Sequence, residues 1–189
     1  MQNKGTGDQG KGGLMKLYHA GKEEIREPDI YRGRKNADFG QGFYLTPDRE
    51  FAYRWAYEDY VVNEYELDLT GLDVIGFSRE ADWFDYIFRK WRTEDTLAAD
   101  VVTGPVANDT LYNTFGIISS GLLKPADALA LLRIGPEFTQ TAVKSPKALQ
   151  NLTWTGAQRI TDATYYRELV RKEEAEYQKL FAEYMSKVM

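Results

Sequence analysis

Asp38-Phe39-Gly40-Gln41-Gly42-Phe43-Tyr44-Leu45-Thr46 is the stretch that organises the rest of the chain. Two glycines flank an exposed turn, and a short strand, Gly42 to Leu45, leaves it. Side chains alternate across a strand, so Phe43 and Leu45 point one way and Tyr44 the other. If the first two face a core, Tyr44 faces solvent or a cleft. There a rigid phenol is a stacking platform worth about 1 kcal/mol beyond its buried area. Thr46-Pro47 reads as an N-cap followed by Pro at the first helical position. The helix it opens carries Phe51, Ala52, Trp55 and Ala56 on one stripe.

Upstream, Leu14 to His19 reads as a strand ending at Ala20-Gly21, with the only His of the chain at its end. Residues 22–41 are irregular, carry the basic cluster Arg32, Arg34 and Lys35, and read as a natural lid. The first thirteen residues are Gly-rich without apolar periodicity, the pattern of a flexible leader or a cloning remnant.

Downstream, Glu64 to Leu69 alternates as a strand, with Tyr65, Leu67 and Leu69 on one face. Val74 to Phe77, Asp100 to Thr103, Gln140 to Val143 and Leu152 to Ile160 read as further strands. Trp83, Phe84, Ile87, Phe88 and Trp91 fall at helical spacing. Asp109 to Phe115, Pro125 to Leu132 and Pro146 to Leu152 read as helices. Asp162 to Val188 is a long amphipathic helix with Tyr166, Leu169, Val170, Tyr177, Leu180, Phe181, Tyr184 and Val188 on one face. That face either packs on the core or docks a partner subunit or inhibitor protein. Short strands alternating irregularly with helices indicate an α+β domain over 14–160, followed by a C-terminal helical segment over 161–189.

Composition narrows the chemistry. The chain has 189 residues, no Cys and one His, with a formal net charge of −5. A disulfide scaffold, a Cys-ligated zinc site, a thiol nucleophile and a His-His metal site are excluded. No apolar run approaches the ~20 residues of a membrane span, and no secretory leader is visible. With 4 Trp, 13 Tyr and 9 Phe the chain has ample material for a core. The acidic balance argues against extensive phosphate-backbone binding. These features fit a cytoplasmic protein.

Three places carry the candidate chemistry: His19 before Ala20-Gly21, Tyr44 between its glycines, and Gln140 opening a late strand. Taken singly, each reads more simply as scaffold. Together they resemble the His-Tyr-Glu class of ADP-ribosyltransferases, which includes diphtheria toxin and the poly(ADP-ribose) polymerases. Leu17-Tyr18-His19-Ala20-Gly21 is similar to the first motif of that superfamily, with the usual Gly displaced by Ala20. Phe39-Gly40-Gln41-Gly42-Phe43-Tyr44-Leu45 is similar to the segment that carries the stacking Tyr of the polymerases. Several stretches are closer still to an uncharacterised bacterial family of the same superfamily, often taken to be toxin-like. They are Gly33-Arg34-Lys35-Asn36-Ala37-Asp38 through Thr46, Trp55-Ala56, Gly104-Pro105-Val106-Ala107-Asn108-Asp109-Thr110 and Lys147-Ala148-Leu149. The likeness covers roughly residues 16–155.

The resemblance implies a split β-sheet core with surrounding helices and NAD as substrate, without a metal. His19 would bond the adenine-side ribose, the backbone near Ala20 and Gly21 would grip the nicotinamide carboxamide, and Tyr44 would stack on the nicotinamide ring. Gln140 would take the third position, usually Glu. Arg34, Asn36, Asp38, Phe39, Gly42 and Asn108 complete the expected binding set. It implies a macromolecular acceptor, protein or nucleic acid, and an inhibitor protein docking through the C-terminal helix; no membrane partner is expected.

Gln140 is the main departure. A carboxylate about 4 Å from a positive charge is worth about 4 kcal/mol at an effective dielectric near 20, and a neutral amide recovers about 1–2 kcal/mol. Either the activity is slow, or another carboxylate contributes. Asp109 is the first candidate, although it or Asn108 serves equally as a helix cap, and Asp38 is the second. Ala52 lies near the place where the polymerases have a carboxamide-binding Ser.

Overall fold

The computed structural model describes residues 13–56, 59–90, 97–107 and 123–188, with the backbone alone for 88–90. Asn108, Asp109, the helix expected over Asp109–Phe115, Trp91, the Phe88 side chain and residues 1–12 of the expected leader lie outside the described residues.

The protein is α+β. Strands β1 (Leu14–Gly21), β3 (Val61–Asp68) and β7 (Leu152–Arg159) form an antiparallel sheet in the order β1-β3-β7. Strands β2 (Phe43–Leu45), β6 (Thr139–Val143), β5 (Val101–Pro105) and β4 (Val74–Gly76) form a second sheet in the order β2-β6-β5-β4. Only the β4–β5 pair is parallel. β1 is longer than its sequence suggested because its ladder with β3 runs through Ala20↔Val62 and Gly21↔Val61. The expected alternation of β3 holds, with Tyr65 and Leu67 buried.

Helix α1 (Arg49–Arg54) begins later than its sequence suggested. Thr46 does not cap it. The Thr46 hydroxyl donates to the Thr139 carbonyl and accepts from the Asp48 N–H, so the Asp48 carboxylate becomes the cap and accepts from the Phe51 N–H. Trp55 lies one residue beyond the helix and is 44% exposed, off the buried stripe. Helices α2 (Ala81–Lys90), α3 (Pro125–Leu132) and α4 (Pro146–Gln150) follow, then α5 (Ala163–Val188).

Three cores result. Phe43 and Leu45 join Leu17, Tyr65, Leu67, Val101 and Val143 where the two sheets face each other. Val102, Ala142 and Phe39 pack against Trp83 and Ile87 of α2 and Leu131 and Leu132 of α3. Val62 packs beneath Ala52 and Ala56. α5 lies along the last two. Ala163 joins the third core and Tyr177 and Phe181 the second, while Tyr166 stacks on Tyr53 with centroids 5.0 Å apart. The apolar line of α5 is thus largely used within its own chain. Leu180 sits on its exposed flank and Val188 lies past the end of the core, so neither joins the buried face expected for them. No helix among the described residues is long and apolar enough to cross a membrane.

Candidate functional site

The two sheets meet edge to edge at β1 and β2 through one bridge. Tyr18 N–H donates to the Thr46 carbonyl at 2.8 Å and Thr46 N–H to the Tyr18 carbonyl at 2.9 Å. Beyond it the strands make no ladder, and a side chain takes over. His19 Nδ1 lies 2.7 Å from the Tyr44 carbonyl. A carbonyl only accepts, so Nδ1 carries the proton and Nε2 of the neutral ring is an acceptor. Burial pushes the His19 imidazole below its usual range, against the opposing pull of the Tyr44 bond. The ring also lies 4.6 Å from that of Phe43. Antiparallel pairing alternates by two residues. Because Tyr18 spends its N–H and C=O on Thr46, those of Ala20 point to the same edge.

Tyr44 is half-buried, opposite Phe43 and Leu45. Its hydroxyl accepts from Phe39 N–H at 2.9 Å and donates to the Gly40 carbonyl at 2.7 Å. Gly40 has φ 80°, a conformation that favours glycine, and this closes the tight turn onto Ala37. Tyr44 therefore holds the backbone on both sides of the turn, and the turn holds its ring.

Gln140 stands at the start of β6. Its Nε2 donates to Asp38 Oδ2 at 2.7 Å and to the Pro105 carbonyl at 3.2 Å. The same Asp38 oxygen accepts from Ala107 N–H at 3.2 Å. With both Nε2 protons committed, what Gln140 has left to offer a ligand is its Oε1 acceptor.

His19, Asp38, Gly42, Tyr44 and Gln140 line one cavity of about 760 Å³, together with Arg34 and Trp55. Small-molecule sites usually span about 300–1,000 Å³. A model of the family described as "Protein of unknown function (DUF3990)" matches residues 15–154, which takes in every strand from β1 into β7 and each of these cavity residues. The chain belongs to this family. Comparison with curated proteins and with solved structures gives no match.

In this DUF3990 chain the cavity corrects several expectations. Phe39 is fully buried beside Phe77 and Tyr86, so it supports the turn from below and does not line the cavity. Asn36 is exposed and outside the lining, and Ala20 and Gly21 do not line the cavity either. Of the two carboxylates expected to compensate for Gln140, Asp38 is in contact with it; Asp109 lies outside the described residues.

The segment expected to be a lid is tied down. Asn63 is fully buried in β3; its Oδ1 accepts from Ile25 N–H at 2.8 Å and its Nδ2 donates to the Glu23 carbonyl at 3.0 Å. The Tyr65 hydroxyl donates to the Ile25 carbonyl at 2.7 Å. Further along, Gln41 donates to the Tyr31 and Gly33 carbonyls. Gly33 lies so close to Gly42 that a Cβ there would sit 2.1 Å from the Gly42 oxygen. The loop is a wall. Asn63 was missed in the sequence, although an Asn amid Val61, Val62 and Tyr65 signals a buried amide with partners to satisfy. Trp55 was assigned to the core stripe, whereas it stands at the cavity edge-on to Phe51.

Proposed function

We propose that the cavity binds NAD and that the protein is an ADP-ribosyltransferase with the split-sheet architecture of that superfamily, acting in the cytoplasm on a macromolecular acceptor. The observation that carries this reading is the convergence of His19, Tyr44 and Gln140, from three strands, on one cavity at the parting of two sheets. In the reaction the bond between the nicotinamide nitrogen and ribose C1′ breaks, its electron pair leaving with neutral nicotinamide. The acceptor nucleophile bonds to C1′ and its proton passes to water. Positive charge builds on the ribose between these events, so groups that meet it better in the transition state than in NAD accelerate the step.

In this reading His19 Nε2 accepts from the adenine-side ribose, the Tyr44 ring stacks on nicotinamide, and Gln140 Oε1 accepts from the nicotinamide-side ribose. Arg34, at the mouth, meets the pyrophosphate. Calorimetric titration with NAD, followed by incubation of protein, labelled NAD and a cell lysate, tests the proposal. Binding and a labelled polymer are expected. Absence of both heat and nicotinamide release overturns it.

A NAD hydrolase, with water as acceptor, is a close variant of this reading, and neutral Gln140 favours a second one, a non-catalytic binding module. Nicotinamide release without a labelled polymer supports the hydrolase, and binding without release the module. A toxin role with an inhibitor protein rests on resemblance alone. Such an inhibitor would engage outward residues of α5, such as Tyr165 and Leu180.

A further inference from the structure

We propose that Asp38 and Gln140 work as one unit, in which Asp38 supplies a buried negative charge beside the cavity and Gln140 is the positioning residue that presents it to the ligand as a strengthened Oε1 acceptor. The inference deepens the NAD reading and rests on it for its kinetic consequences, but not for the pairing itself.

Four observations carry it. The Gln140 Nε2 to Asp38 Oδ2 contact is 2.7 Å, within the short range of bonds between an N–H and a carboxylate. Asp38 is 6% exposed, so its charge is little screened by water. The Asp38 side chain is fixed from several directions: Ala107 N–H reaches the same oxygen, and the Tyr44 hydroxyl grips the backbone N–H of Phe39 and the carbonyl of Gly40. Gln140 in turn is locked by its second proton on the Pro105 carbonyl. A carboxylate that accepts from Nε2–H pushes electron density into the amide and leaves its oxygen more negative, because hydrogen bonds in a chain polarise one another.

The pairing also explains why position 140 holds an amide. A carboxylate there would bring a second acceptor to 2.7 Å from Asp38 Oδ2, and the two oxygens could keep that contact only by sharing a proton. Gln is thus the complement that Asp38 demands. The charge expected of a Glu at this position has moved to residue 38.

Three variants test the unit: Asp38→Asn, Gln140→Glu and the double exchange. The readouts are thermal unfolding, NAD binding, and nicotinamide release across pH. Asp38→Asn is expected to lower kcat about tenfold or more while KM changes less than about threefold. Gln140→Glu is expected to add an ionisation above the ordinary carboxylate range to the pH profile. The double variant reverses the donor and acceptor within the pair. It is expected to lose that added ionisation; its rate is not expected to recover in full, because the exchange also sets the new carboxylate against the Pro105 carbonyl and the new amide against the Ala107 N–H. A residue that merely supports the fold does not remove the added ionisation, so a double variant that keeps it, or an Asp38→Asn variant with kcat within about twofold of the parent, overturns the proposal.

Among the described residues, the other titratable groups lining the cavity are His19 and Tyr44 on the strands, Arg32 and Arg34, and the charged side chains of residues 23–29. All are common to the three variants, so differences among them report the exchanged pair. If the unaltered protein releases no nicotinamide, the NAD reading fails and the unit is judged by carbon-13 NMR of glutamate-labelled protein. The introduced carboxyl is expected to titrate above the usual range in Gln140→Glu and within it in the double variant. Equal titration in the two overturns the pairing. Both proteins can be measured even if Asp38→Asn alone fails to fold.

Discussion

The two edges of β1 are used in opposite ways. Along β3 the strand keeps an eight-residue register from Leu14↔Asp68 to Gly21↔Val61, and backbone bonds close the edge throughout. Along β2 it makes one bridge, at Tyr18 and Thr46, and then parts company. On the open side a single side-chain bond, His19 to the Tyr44 carbonyl, continues the connection. A closed edge makes a sheet; an edge held open by side chains leaves backbone groups, an imidazole and a phenol facing a common space. If the cavity is the site proposed above, the difference separates stability from function within one strand, and mutations on the two sides should behave accordingly.

The largest effect is expected on the open side. His19→Ala and Tyr44→Ala should each reduce NAD turnover to background, more than about 1,000-fold or roughly 4 kcal/mol of transition-state stabilisation. Unfolding temperature should change little for His19→Ala, because one partly buried bond contributes about 1 kcal/mol. Full turnover in both variants would show that the open edge is not the site.

Next is the closed side. Asn63→Ala removes one acceptor serving Ile25 N–H and Trp154 Nε1–H and one donor to Glu23. Leaving these groups unmet should cost about 3 kcal/mol in urea denaturation. KM for NAD should rise more than kcat falls, since the wall of the cavity loosens while the reacting groups stay. Stability within about 0.5 kcal/mol of the parent would mean that the wall is held elsewhere.

Gly33→Ala probes where the wall meets the open edge. The backbone conformation at Gly33, φ −64°, suits any residue, so the obstacle is space alone: a Cβ 2.1 Å from the Gly42 oxygen. Displacing two backbone segments should cost about 2 kcal/mol, detectable as a lower urea midpoint with an unchanged slope. An unaffected midpoint would show that the loop shifts at no cost.

How much of this was legible beforehand follows from range. The alternation of Phe43, Tyr44 and Leu45 is local, and it correctly set one face of β2 against the other. Pro125–Leu132 was readable to the residue because Pro at the first turn and the apolar run Ala128–Leu132 fix it locally. The helix cap was misread because the Thr46 hydroxyl is taken by Thr139, a partner 93 residues away. Phe39 was misread for a similar reason. Its neighbours in the turn are polar and glycine, and only the packing of Phe77 and Tyr86 from another part of the chain draws its ring inward. Asp38 ranked below Asp109 in the sequence because nothing local reveals that it meets Gln140.

The smallest expected effect concerns His19 and pH. Burial holds its imidazole below the usual 6.5, so between the native and the unfolded value the unfolded chain binds more protons than the native one. Stability should therefore fall as the pH drops below about 6.5 and level off once the pH lies below the native value. One proton accounts for at most about 1.4 kcal/mol per pH unit, so this contribution between pH 6.5 and 5 stays below about 2 kcal/mol. His19→Gln has no proton to take up, so urea denaturation of the two proteins at pH 5 to 7.5 isolates the effect. The stability of the parent relative to the variant should decline on the acid side and level off above pH 6.5. Parallel curves would mean that the imidazole is as accessible to protons in the native protein as in the unfolded chain, and that the open edge of β1 is wetter than its geometry implies.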